Sequence, residues 1–176
     1  MNLRLFVAAE LPEDVRAALA AWRPDDPALR AVDTAGVHVT LCFLGWVDET
    51  RVDAVGAAAT ACAAPVGELA VREGLWLPPR RPRVLTIALD DPDGRLGAVQ
   101  QAVVEAMVGA AGYVPEKRPF LAHVTVARVR RGGRAPRGEL PGPPALGFTP
   151  AALILNRSHM RREGATYEAL VSAPLR

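Results

Sequence analysis

Two nine-residue stretches, VHVTLCFLG at 37–45 and LAHVTVARV at 121–129, each carry a His-x-Thr word inside an apolar–polar alternation of period two. That period fits a half-buried β-strand and not a helix. In the first stretch, strict alternation puts Val37, Val39, Leu41 and Phe43 on one face and His38, Thr40, Cys42 and Leu44 on the other. The chain has only three histidines, and a Thr two places after two of them arises by chance about 0.6 % of the time. The recurrence is therefore a constraint on the fold.

Around each word the same elements return. Residues 3–9 read as a strand. Pro12 opens a helix, with Glu13 and Asp14 at its positive end and Val15, Leu19 and Trp22 at helical spacing. After the first His-x-Thr strand, Asp48 caps a helix carrying Val52, Val55 and Ala59, and residues 68–77 form a strand. The order then restarts. Residues 82–90 are a strand, and a turn at Pro92-Asp93-Gly94 leads into a helix with Leu96, Val99, Val103 and Met107 on one stripe, closed by Gly109 or Gly112. The second His-x-Thr strand follows. Residues 130–144, rich in Arg, Gly and Pro, read as a mobile loop with no core to bury. Residues 151–159 and 165–173 form a closing hairpin, its turn around Arg161 to Gly164. Arg4 precedes His38 by 34 positions and Arg83 precedes His123 by 40. The spacing predicts one bilobal α+β domain over 1–176, an internal duplication with halves near 1–80 and 81–176. Two antiparallel sheets related by a pseudo-two-fold would line a central cleft, with helices on the outer faces.

Half of the 176 residues are apolar and 23 % are charged, a soluble globular balance. No apolar run approaches the ~18–20 residues of a membrane span. Pro12, Glu13 and Asp14 come too early for a secretory leader. A cytoplasmic protein without membrane contact is expected. Cys42 and Cys62 lack CxxC spacing and read as reduced thiols, although Cys42 on the His38 face opens a cysteine-nucleophile alternative. Of the 21 basic residues 20 are Arg, and they cluster at 80–83, 128–137 and 157–162. Arg forks suit phosphate oxygens, so a polyanionic ligand and a solvated surface are both open readings. His159, with Arg161 where a Thr is needed, is expected at the surface.

On a strand, His and Thr two apart project together. Two such strands facing one cleft supply two imidazoles and two hydroxyls. With an ordinary pKa near 6.5, one ring can be neutral and the other protonated at neutral pH. One then takes a proton from water while the other protonates a leaving oxygen, which suits in-line displacement at phosphorus. A zinc site lacks a third ligand of clear spacing, and neither HExxH nor CxxC is present. GxSxG, Walker A and GxGxxG are also missing.

The words RLFVAAELPEDVRAAL, VHVTLCFLG, RRPRVLTIAL, KRPFLAHVTVARV and ATYEAL, spread along the chain, resemble the two-histidine (2H) phosphoesterases. Within them the chain is most similar to the RNA 2′,3′-cyclic phosphodiesterases, also called 2′-5′ RNA ligases. The resemblance implies metal-free, cofactor-free hydrolysis of RNA 2′,3′-cyclic phosphate ends, such as those of tRNA fragments, to 2′-phosphomonoesters by a monomer. It implies His38 as proton donor and His123 as proton acceptor, with Thr40, Thr125 and Arg128 on the phosphate. Strict alternation turns Arg128 away from His123, so this last role requires a bulge or a long curled side chain. Phe6 or Tyr167 is a candidate to stack a base, with core packing the expected role of Phe6. A non-catalytic RNA-end binder and a 2H phosphodiesterase acting on a small cyclic nucleotide stay open.

Overall fold

The computed structural model describes residues 1–162 and 164–176. Glu163, inside the expected hairpin turn, lies outside the described residues. Along β1 (Asn2–Glu10), Leu3, Leu5, Val7 and Ala9 enter the core while Arg4, Phe6, Ala8 and Glu10 take the other face. Helix α1 (Glu13–Ala21) starts at Pro12, whose carbonyl accepts the first helical bond from Arg16 N at 3.0 Å. β2 (Leu29–Ala31) precedes β3 (His38–Asp48). Asp48 then ends β3 and accepts from Thr50 N at 2.9 Å, capping the turn into α2 (Val52–Thr60).

β4 (Leu69–Leu77) and β5 (Val84–Asp90) form a hairpin-like pair. In α3 (Arg95–Ala111) the Asp91 carboxylate accepts from Leu96 N and Gly97 N at the positive end of the helix. Leu96, Val99, Val103 and Met107 are all buried, and Gly112, at φ +68°, closes the helix in the left-handed conformation that glycine adopts without a steric cost. β6 (His123–Val129), β7 (Gly147–Phe148), β8 (Ala152–Arg161) and β9 (Gly164–Pro174) complete the chain. Helices α2 and α3 touch each other, α3 also packs on β3, and α2 on β8 and β9. Among the described residues no helix is long and apolar enough to cross a membrane.

The expected pair of sheets is a single sheet. Its strands run β7-β4-β5-β6-β3-β1-β8-β9, with β2 added along β6. The two His-x-Thr strands lie edge to edge rather than face to face, and the antiparallel pair Val39–Val124 joins them. Alternation predicts which way side chains point but not which edges meet, so the sequence pattern was compatible with either arrangement.

The segment after β6 contains no helix or strand up to Gly147, as expected. It does have a core to bury, contrary to that reading. Leu140 packs against the apolar cluster, and Trp22 Nε1 donates to the Gly142 carbonyl at 3.1 Å. Gly74 on β4 makes room for both: a Cβ there would collide with the Trp22 ring and sit 3.2 Å from Leu140. Gly74→Ala is expected to cost about 1–3 kcal/mol through overpacking. Urea unfolding checks this; an unchanged midpoint would mean that the Trp22 ring moves aside freely.

Candidate active site

From the histidine onward, β3 and β6 share one seven-residue burial pattern. The His and Thr are half-buried, the residue between them and the two that follow Thr are buried, and the sixth is exposed. Both strands reach it by the same device. Ala8 pairs with Thr40 and Val7 with Cys42, leaving Leu41 as an extra residue; Thr86 pairs with Thr125 and Leu85 with Ala127, leaving Val126 extra. Each bulge sends two consecutive side chains inward and returns the next to the cleft face.

This corrects two expectations. Cys42 does not share the His38 face: it is buried in the core, where burial, partly offset by a hydrogen bond with Tyr113, pushes its thiol up to about 11. That removes the cysteine-nucleophile alternative. Phe43 comes out on the cleft face instead, 42 % exposed, with the Arg4 guanidinium 4.6 Å from its ring centre. Of the two routes open to Arg128, a bulge or a curled side chain, the bulge is present, at Val126.

His38, Thr40, His123, Thr125 and Arg128 all line one small cavity, closed by Val32, Gly36 and Tyr167. Its volume is about 40 Å³, room for roughly three waters or for one phosphate group. His123 Nδ1 lies 2.7 Å from the Leu121 carbonyl. A carbonyl only accepts, so Nδ1 carries the proton and a neutral ring keeps its lone pair on Nε2.

His38 is held by two aromatic rings. Phe6 stacks on it at 4.9 Å between ring centres, and Tyr167 meets both rings edge-on, at 5.3 Å from His38 and 5.1 Å from Phe6. Phe6 is 3 % exposed, so it supports His38 and has no free face for a base. Burial, and then the charge of Arg128, push the His38 pKa down to about 4; a hydrogen bond to the Gly36 backbone pulls it up, and His123 adds a smaller downward push. Between pH 6.5 and about 4 the unfolded chain binds a proton at His38 that the folded chain refuses. Stability therefore falls as pH falls through that window and is fully present above it. Over this drop His38→Gln is expected to lose less stability than the unsubstituted protein, by on the order of 3 kcal/mol at about 1.4 kcal/mol per pH unit. Urea midpoints at both ends of the window check it, and parallel losses would refute the burial account.

The remaining candidates lie elsewhere. His159 Nε2 pairs with Glu168 at 2.8 Å on the hairpin. Of the three Arg clusters, only Arg128 reaches the cavity. Arg130 Nε instead donates to the Pro27 carbonyl, and Arg161 Nε to the Thr166 hydroxyl. Among the described residues no three His, Cys, Asp or Glu side chains converge as a metal site. Sequence reasoning missed Gly36 and Val32 as cavity walls, and Phe6 as a support for His38. The strand period contains no signal for the first two. Phe6, on the same face of β1 as Ala8, could have been placed beside the His-x-Thr face.

No family model matches the chain. It is 31 % identical over 130 residues to the RNA 2′,3′-cyclic phosphodiesterase of Escherichia coli (strain K12), covering 71 % of each chain. It is 26 % identical over 148 residues to the enzyme of the same name from Aeropyrum pernix, covering 81 % of this chain and 84 % of that one. Its fold matches the crystal structure of Escherichia coli LigT complexed with 3′-AMP at a TM-score of 0.83 and 25 % identity, over 99 % of both chains. It matches that of the Thermus thermophilus protein TT0787 at 0.80 and 28 %, over 98 % of both. An α+β chain with one antiparallel sheet and both His-x-Thr words on one cavity is a 2H phosphoesterase. The chain belongs to the RNA 2′,3′-cyclic phosphodiesterase (LigT) family.

Proposed function

We propose that this protein hydrolyses 2′,3′-cyclic phosphodiester ends of RNA to 2′-phosphomonoesters, without a metal. The observation that carries the reading is the single phosphate-sized cavity that gathers both imidazoles, both threonines and Arg128. His123, with its lone pair on Nε2, takes the proton of the attacking water. His38 protonates the departing 3′ oxygen, and Thr40, Thr125 and Arg128 hold the non-bridging oxygens as charge develops. The 2′-5′ ligation follows the same path with a 5′-hydroxyl in place of water: His123 takes its proton, its oxygen bonds to the cyclic phosphorus, the bond to the 3′ oxygen breaks, and His38 protonates that oxygen.

A donor must first hold a proton, and at neutral pH a ring with a pKa of about 4 does not. The bound phosphodiester supplies the difference. Its negative charge opposes the push from Arg128 and His123, so His38 becomes protonated as substrate binds.

The proposed unit is a single domain over 1–176 whose halves, near 1–80 and 81–176, exchange strands. β4 of the first half lies against β5, and β8 of the second against β1, so the order outward from each His-x-Thr strand is alike on both sides. This exchange supports the duplication.

The test is a short RNA with a 2′,3′-cyclic phosphate end, incubated with the protein in EDTA, with the product's phosphate position determined. A 2′-phosphate is expected. A 3′-phosphate would overturn the leaving-group assignment, and binding without turnover would leave an RNA-end binder.

A further inference from the structure

Arg30 and Arg128 are directly opposed where β2 pairs with β6, and like charges so placed destabilise a sheet. β2 is three residues long, yet it is firmly held. Leu29 is buried, Val32 N donates to the Val126 carbonyl at 3.0 Å, and Arg130 N donates to the Ala28 carbonyl at 2.8 Å. Among the described residues neither Arg30 nor Arg128 forms an ion pair. Both line a second cavity of about 210 Å³, on whose wall Asp33 is the one carboxylate among the described residues. This cavity shares Val32, Gly36, Arg128 and Tyr167 with the phosphate-sized one, so the two adjoin. Across it the hairpin approaches closely: the Arg30 Cζ lies 3.6 Å from where a Cβ on Gly164 would stand, at a φ of +139°.

Two guanidiniums without an ion pair among the described residues, beside the proposed phosphate site, have more positive charge than one phosphate needs. We infer that the larger cavity binds the next anion along the substrate, the 5′ phosphate of the terminal nucleotide, with Arg30 as its contact, so that Arg30 selects RNA ends over cyclic mononucleosides. The inference rests on the proposed reading of the smaller cavity and adds a specificity residue to it. In a 2′,3′-cyclic-ended RNA the nearest other negative charge is the phosphodiester on the 5′ side of the last ribose. A cyclic mononucleoside phosphate lacks it. A guanidinium fork meets such an oxygen pair better than a point charge does.

Adenosine 2′-monophosphate and adenosine 2′,5′-bisphosphate differ only in that 5′ group, and both are products or product analogues whose binding needs no turnover. The unsubstituted protein is expected to bind the bisphosphate about tenfold more tightly, as a charge-assisted contact predicts. Arg30→Gln abolishes the difference while leaving the monophosphate affinity within about twofold, and Arg30→Lys keeps part of it. The bisphosphate's affinity also loses part of its salt dependence in Arg30→Gln. Equal affinity for both ligands in the unsubstituted protein removes the subsite and leaves the smaller cavity's reading standing. Equal weakening of both ligands by Arg30→Gln makes Arg30 a general contact and overturns its selective role. Failure to bind either ligand removes both readings.

Discussion

His38→Ala and His123→Ala are each expected to lower turnover of a 2′,3′-cyclic-phosphate-ended RNA by about 10²–10⁴, the usual worth of one positioned acid or base. Both rings line the same cavity, so on the proposed mechanism they serve one phosphorus centre and not two. The double variant should therefore be little slower than the worse single one, because removing either proton path already forfeits concerted transfer. Single-turnover rates measure this without product release. The fold should survive both changes. Truncating His38 leaves the Phe6 ring facing an apolar gap, while truncating His123 removes one hydrogen bond to Leu121. Full activity in either variant would eliminate the two-histidine mechanism.

Arg128→Ala carries the next largest effect and has two separable readouts. Loss of a charge-assisted contact to phosphate is worth about 1.5–3 kcal/mol, so kcat/KM should fall by roughly 10- to 150-fold, mostly through KM. Arg128 is also the second cause, after burial, of the low His38 pKa. Its removal should raise the His38 titration from about 4 toward the ordinary 6.5 without reaching it, since the ring stays buried between Phe6 and Tyr167. Imidazole NMR of the free protein follows this directly. A kinetic loss with an unmoved titration would mean that the guanidinium points away from His38 in solution.

Much of this site could be read from residue spacing alone. The period of two around His38 and His123 placed imidazole and hydroxyl together, and the stripe Leu96, Val99, Val103 and Met107 is fully buried as the helical period required. Where the bulges fall was not legible. Leu41 and Val126 are ordinary apolar residues, and nothing in their identity marks an unpaired rung. The register against β1 and β5 produces it. For that reason Cys42 was assigned to the wrong face and Arg128 was left on the far side. Edge-to-edge joining at Val39 and Val124 was equally hidden, because both valines point into the core, and a buried valine fits a strand in one sheet or two. β2 and β7, three and two residues long, are too short to show any period.

Phe43 and Arg128 are the same slot on two strands that run in opposite directions from the Val39–Val124 rung. One is filled by a ring capped by Arg4, the other by a guanidinium without an ion pair among the described residues. A backbone that reads alike from either end has thus been given a front and a back by one pair of side chains. On the proposed reading that asymmetry would orient an RNA end, and exchanging residues 43 and 128 should erase that sense of direction while the scaffold stays intact.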